Sequence, residues 1–533
     1  MTSNRIDTFY KLFQKIKNSK TNYLYCYITD NLQIKPSQKS FYEIFCDIEL
    51  AYSNLIYNGI TKNDVVGLYL DNSYHFFVID MALILLGAQT IIQSSLEPVD
   101  LVQKRLEQFK VTILIVKDKE TKDFSGDFKK YEISNLFDSN IEKVQVKEEK
   151  IHNKDFSIIF SSGTSGIPKS LGISEKGSLE SGSIYFQHMK YNQNDRMLIY
   201  LPLASYQQRF LMWSCLANNV NIVLVDEKKL FKGLVEFKPS IILAPPNFYY
   251  NLFRLSEGTN FFTKILRRVL PYKANSKLLQ LIANNITYKK LYLVFGHRPR
   301  YLLTGMAPID IKLLEYFQRA YLDIYQIYGQ TEIGMICGNT KERNKIGTVG
   351  TPILKIDISD EGEIIANNDN PTVNRYYLED GSTEDLHPFS RSTGDVGDID
   401  NEGFITISGR KNETIILSNG VKINPSVLEN KIKTSFSLDE VLIFKSNDKK
   451  SMNMLDIVIF FYAEKDNLKQ IDDIKGLVIN IPEIKYNSEN IRISKFAVSE
   501  LEKKHVYTEN GKFSRVRAIN LIKENSNRID NIL

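Results

Sequence analysis

At 533 residues, with 68 basic and 63 acidic side chains, the chain exceeds one ordinary domain. Its net charge of +5 is too small to imply nucleic acid as a partner. Hydrophobic content of 43% and charged content of 25% give the profile of a soluble globular protein and argue against a disordered or fibrous one.

The first element is read at Phe9, Leu12, Phe13 and Ile16, whose spacing puts them on one helix face. A helix docked on the core is expected there. Flanking lysines leave contact with a membrane surface as the alternative. Ser40-Phe-Tyr-Glu43 reads as a capping box opening a helix with Phe41, Ile44, Phe45 and Ile48 on its inner face, stopped by Gly59. Val65–Leu70 is a strand, and Ser73 caps a helix that ends near Gly87. Apolar strands follow at Val111–Val116, Phe156–Phe160, Asn221–Val225, Ser240–Ala244, Tyr301–Thr304 and Asp323–Ile327. Short apolar runs alternating with helices predict a layered α/β fold with strands buried on both faces.

Lys264–Lys290 is a basic insertion, read as a solvated surface elaboration. After about residue 355 the pattern changes to short strands with turns such as Asp400-Asn-Glu-Gly403. From Arg410 the segments are shorter and more polar. This predicts a large layered α/β N-terminal domain over 1–409, a smaller α+β C-terminal domain over 410–533, and a hinge near 409–412.

The cysteines (Cys26, Cys46, Cys215 and Cys337) show no paired or zinc-like spacing, so free buried thiols in a reducing cytoplasm are expected. No apolar run reaches the roughly 18–20 residues that span a bilayer, so no transmembrane segment is expected. No signal-peptide block opens the chain.

Five segments carry chemistry. In the first, Ser161, Ser162, Gly163, Thr164, Ser165, Gly166 and Lys169 follow a strand directly. The glycines let the backbone aim N–H groups at an anion, the hydroxyls add donors, and Lys169 adds charge. This is a phosphate cradle, although its spacing is not that of a Walker A loop. The second is Tyr328-Gly329-Gln330-Thr331-Glu332, offering an aromatic face for a purine, a hydroxyl, and a carboxylate able to hold Mg2+. Upstream lies Leu303-Thr-Gly305-Met306-Ala307-Pro308, locally also a strand followed by a turn. The third is Ser392-Thr-Gly-Asp395, whose carboxylate oxygens, if free, suit a ribose diol. The fourth is Gly409-Arg410-Lys-Asn412. The fifth is Thr508-Glu-Asn-Gly511-Lys512-Phe-Ser-Arg515; alone it would read as a surface loop.

Together these segments resemble the adenylate-forming superfamily of acyl-CoA synthetases, peptide-synthetase adenylation domains and firefly luciferase. The resemblance extends over nearly the whole chain, including Asp64–Ala88. Departures are Ser170 for glycine after the loop lysine, Asn412 for the hinge aspartate, and Val506 for proline in the last motif.

The resemblance implies ATP and Mg2+ as cofactors and a small-molecule carboxylic acid as substrate. Thr164, Glu332, Arg410 and Lys512 would be catalytic, with Thr331 and Glu332 at the metal. Gly305, Ala307, Tyr328, Gly329, Gln330, Asp395 and the first-motif residues would surround the nucleotide. Asn412 would be the hinge of a mobile C-terminal domain, whose rotation would bring Ser418–Ile423 toward the thiol acceptor.

Leu201-Pro-Leu-Ala-Ser-Tyr-Gln-Gln-Arg209 resembles the LPLAHxxER segment of long-chain fatty acyl-CoA synthetases, with Ser205 and Gln208 replacing histidine and glutamate. By that likeness Tyr206, Gly305 and Met306 would meet the substrate. Phe248, Tyr249 and Tyr250 stand where an amino-acid-activating domain would carry an acid, so a fatty or aryl acid is expected, fatty acid ahead. The thiol would come from coenzyme A, or from the phosphopantetheine of an acyl carrier protein. A luciferase-like oxygenase and a non-enzymatic nucleotide-binding regulator are the remaining readings.

Overall fold

The computed structural model describes residues 6–30, 33–95, 97–120, 123–148, 155–161, 169–257, 289–386, 389–416, 422–423, 425–426, 428–429, 432, 438, 440–445, 455–462, 491–498, 506–507, 513–525 and 529–531. Most of the Lys264–Lys290 insertion and of Ser418–Ile423 lies outside the described residues.

Two large sheets dominate. One has nine strands, built on a parallel core of Arg196–Ile199, Asn221–Leu224, Ile241–Ala244, Tyr301–Thr304 and Ile324–Gln330. The other has eight, including the parallel strands Val65–Leu70, Gln89–Ser94, Ile113–Val116 and Ser157–Ser161. Helices Phe9–Lys17, Phe41–Tyr57, Tyr74–Leu86, Glu175–Met189 and Tyr206–Asn218 share one apolar core with both sheets. A second core covers the far face of the nine-stranded sheet under Leu230–Phe237, Pro246–Glu257 and Ile311–Arg319.

Local sequence explains several of these elements. The Ser40 hydroxyl accepts from the Glu43 N–H at 3.2 Å while the Glu43 carboxylate accepts from the Ser40 N–H at 2.7 Å, a complete capping box. Ser73 caps Tyr74–Leu86, and Gly87 ends it in the left-handed region at φ 80°, where a β-carbon would be strained. That helix is apolar on nearly every side because it sits between layers. In the first helix Phe9, Leu12, Phe13 and Ile16 are all buried, which decides for the docked reading over membrane contact. Phe9, Phe156 and Trp213 meet edge to face with centroids 5.0–5.5 Å apart.

Residues 355–410 build a separate antiparallel sheet of four strands, with Asp400 and Gly403 closing one hairpin. Between two of these strands the chain departs. Val373–Tyr377 pairs antiparallel with Lys169–Ile173, returning to the eight-stranded sheet. A third region pairs Glu440–Lys445, Leu455–Tyr462, Ile491–Val498 and Ile529–Asn531, with Arg515–Glu524 against its core.

Some expected bounds shift. Ile113–Val116 and Ile241–Ala244 start later than expected, and Asn221–Leu224 ends one residue early. The strand expected at Asp323–Ile327 runs on through Tyr328, Gly329 and Gln330, because it gains an antiparallel partner in Gly334–Gly338. Of the four thiols, Cys26, Cys215 and Cys337 are buried but Cys46 is only half-buried. Among the described residues no helix is long and apolar enough to cross a membrane.

Candidate active site

Parallel strands end together at one edge of the nine-stranded sheet, the edge where open α/β sheets place ligands. Gly305 follows Tyr301–Thr304 there. A β-carbon on it would stand 3.0 Å from the Ile327 carbonyl oxygen and 3.3 Å from Ile327 Cγ1, so only glycine lets the two strand ends close up. Met306 next to it takes a left-handed backbone at φ 69°, unusual for a side chain with a β-carbon. Ala307 completes the half-buried turn. Gly329 serves a similar purpose: a β-carbon there would come within 2.6 Å of the Gly334 carbonyl oxygen, beside a bulge at Tyr328/Gly329.

The bulge turns Tyr328 and Gln330 toward Asp395. The Tyr328 hydroxyl donates to Asp395 Oδ2 at 2.5 Å, and Gln330 Nε2 donates to the same oxygen at 2.9 Å. Arg410 Nε stands 2.9 Å from Oδ1, across the strand pair in which Asp395 and Arg410 are register partners. Gln330 also donates to the Thr393 carbonyl at 2.7 Å, and Arg410 Nη1 donates to it at 3.2 Å. Three segments separated by tens of residues therefore meet on one buried carboxylate. Burial, and then the Asp395 charge, push the Tyr328 phenol far above its ordinary range, so it stays a donor. Both Asp395 oxygens have partners in this state, which corrects the picture of two free acceptors. The partners are those that fix its orientation.

The turn Ser392–Asp395 is itself held. Gly394 sits at φ 72°, its N–H donating to Glu363 at 3.0 Å, and Lys411 bridges Glu363 and Glu361 at 3.0 and 2.6 Å. Asn412 lies exposed in the short helical turn Lys411–Glu413 directly after Arg410.

Thr331 and Glu332 lie half-buried beyond Gln330. Thr372 donates its hydroxyl to the Thr331 carbonyl, and Arg391 Nη1 donates to the Glu332 carbonyl oxygen at 2.8 Å. Ser161 ends its strand and Lys169 begins the next, paired with it in register. Ser162, Gly163, Thr164, Ser165 and Gly166 between them lie outside the described residues, as do Thr508, Gly511 and Lys512. Near the latter, Arg515 Nη2 donates to the Ile443 carbonyl at 2.6 Å and Nη1 pairs with Glu429.

Tyr206 is buried, sharing a 2.8 Å hydrogen bond with Ser178. Arg209, three residues on, binds Asp80 with two nitrogens at 2.6 and 3.0 Å and Ser157 at 2.9 Å, all buried. It holds two helices and a strand together. Gln208 accepts the Tyr200 N–H at 3.3 Å. Tyr376 and Arg391, beside Glu332, belong to none of the five segments; no local signature marks either.

Fold and family match together make this an α/β protein of the adenylate-forming superfamily. The sequence profile described as AMP-binding enzyme matches residues 35–369, and the chain belongs to that family. It is 25% identical over 310 residues to the long-chain-fatty-acid–CoA ligase FadD15 of Mycobacterium bovis, covering 54% of this chain and 52% of that ligase. The chain thus matches only about half the length of that relative. Over 437 residues it is 22% identical to the 2-succinylbenzoate–CoA ligase of Bacillus cereus, with 79% and 83% covered. The O-succinylbenzoate coenzyme A synthetase (MenE) of Bacillus subtilis, solved with AMP, superposes with a TM-score of 0.72 at 18% identity, over 96% of this chain and 98% of that one. MenE has also been solved with ATP and magnesium, with a TM-score of 0.71 at 18% identity, over 95% of this chain and 98% of that one.

Proposed function

We propose that the protein joins a carboxylic acid to AMP from ATP and then passes the acyl group to a thiol, coenzyme A first among acceptors. The clasp on Asp395 carries this reading. It orients a carboxylate at the sheet's ligand edge, where the ribose diol can displace or share the Tyr328 and Gln330 donors.

A carboxylate oxygen attacks the α-phosphorus, the bond to the bridging oxygen breaks, and pyrophosphate leaves. Two anions must approach, so charge neutralisation and alignment lower the barrier. Arg410 and Lys512 would supply cations, with the Ser161–Lys169 loop, Thr164 included, holding the departing phosphates. Mg2+ would add charge neutralisation between phosphate oxygens. Thr331 and Glu332 would hold the ion. In the second step the thiolate sulfur attacks the acyl carbon and AMP departs. A domain division at 409–412, with rotation about Asn412, would exchange Lys512 for the thiol approach.

A fatty acid is favoured as substrate, since the FadD15 ligase acts on one. An aryl acid is the second reading, supported by the longer match to the 2-succinylbenzoate ligase. A panel of fatty, aryl and amino acids assayed for ATP-dependent pyrophosphate release tests the first step. Coenzyme A and a phosphopantetheinylated carrier protein compared as acceptors test the second. Lys512→Ala is expected to abolish adenylate formation and spare thiolation of supplied acyl-adenylate; equal loss of both steps contradicts its role.

A further inference from the structure

Tyr376 lies on Val373–Tyr377, the strand that returns to the eight-stranded sheet, opposite Leu171 in register. Two positions before Leu171 is Lys169, whose ammonium stands 4.6 Å from the centroid of the Tyr376 ring. That is within cation–π range of the electron-rich face. At the far end of the same side chain the phenol is raised to about 12, by burial first and then by the neighbouring Glu332 carboxylate. Arg391 closes the group from the backbone side, donating to the carbonyl oxygens of Glu332 at 2.8 Å and Val373 at 3.3 Å. One tyrosine therefore lies between the cation that ends the phosphate loop and the carboxylate of the Tyr328–Glu332 segment.

We infer that Tyr376 is a positioning residue for the nucleotide's polyphosphate, its ring seating the Lys169 ammonium. This rests on the reading of the site as an ATP-dependent adenylating centre. Lys169 is exposed, and a free lysine on a four-carbon stem loses rotamer entropy when it grips a phosphate. A seat on an aromatic face removes part of that loss beforehand.

Substitution separates the ring from the hydroxyl. Tyr376→Phe keeps the ring and removes the hydroxyl; Tyr376→Leu removes both. Calorimetric titration of the purified full chain with ATP, once in EDTA and once in Mg2+, reads them apart. The Phe variant, which keeps the aromatic seat, is expected to bind ATP like wild type in both buffers. The Leu variant is expected to lose about fivefold in both. Lys169→Met should cost less in the Leu variant than in the wild-type background, by the part that the seat supplies. Unchanged EDTA affinity in a folded Leu variant, or equal losses in Phe and Leu, overturns the inference. Thermal unfolding controls for fold, and Tyr376→Met, similar in bulk but without a π face, replaces Leu if that variant does not fold. Wild-type protein that binds no ATP in either buffer sinks the underlying reading. Wild type that binds ATP alongside indistinguishable Tyr376 variants sinks this inference alone.

Discussion

Two arginine–aspartate pairs in this molecule have opposite surroundings. Arg209 and Asp80 are each 2% exposed, whereas Arg410 is 37% exposed and its partner Asp395 7%. The first pair lies between packed layers, with Ser157 as a third partner and the Trp213 ring 4.8 Å from the guanidinium. The second sits at the ligand edge, where one side of the arginine faces solvent. Both arginines belong to segments with strong family likeness, so likeness alone does not separate scaffold from site. Burial does. A fully desolvated pair cannot release its charge to a ligand, while a half-exposed one can.

The largest expected effect tests the scaffold side. Arg209→Met should cost about 3–5 kcal/mol in chemical denaturation, because Asp80 is left buried and unpaired. Adding Asp80→Leu should recover most of that, since two apolar groups need no partner. A stable Arg209→Met protein with lost acid specificity would break the contrast. Next, Arg410→Ala should slow pyrophosphate release about 100-fold, as removal of a preorganised charge-stabilising donor does. Its unfolding free energy should fall by only about 1 kcal/mol, because Tyr328 and Gln330 still donate to the buried Asp395. Equal losses in stability and rate would make Arg410 scaffold too.

Gly305→Ala sharpens the boundary between the two. The added methyl meets the Ile327 carbonyl at 3.0 Å, so about 1–3 kcal/mol of stability should go as the strand ends part. ATP affinity should fall with it; intact affinity would place the nucleotide away from this edge. The smallest effect is at Tyr328→Phe, which removes one of Asp395's donors. A loss of about 1 kcal/mol in ATP binding is expected by calorimetry, with Gln330 and Arg410 still holding the carboxylate.

Elements whose ends carry their own signals were legible in the sequence. Ser40 with Glu43, Ser73 with Gly87, and the strands Val65–Leu70 and Tyr301–Thr304 stand where local caps and apolar runs put them. The clasp was legible in part. Tyr328, Gln330, Asp395 and Arg410 were each candidates, and the structure brings them together, but their mutual hydrogen bonds come from a bulge and a strand register that no short window encodes. Arg209 was legible only as a match to a family segment; its scaffold role was not, because motif spacing carries no information on burial. Tyr376 went unnoticed for a related reason: its partners lie about 40 and 200 residues away, and Val373–Tyr377 has no periodicity of its own to announce which sheet it joins.

That returning strand also has a bearing on synthesis. Until some 377 residues have left the ribosome, Lys169–Ile173 has Ser157–Ser161 on one flank and bare amide and carbonyl groups on the other. Its apolar residues and unsatisfied ladder make a ready template for another nascent chain. Completion of this sheet edge therefore waits on a stretch translated long after it, and a ribosomal pause just upstream of Val373 would be a moment of aggregation hazard.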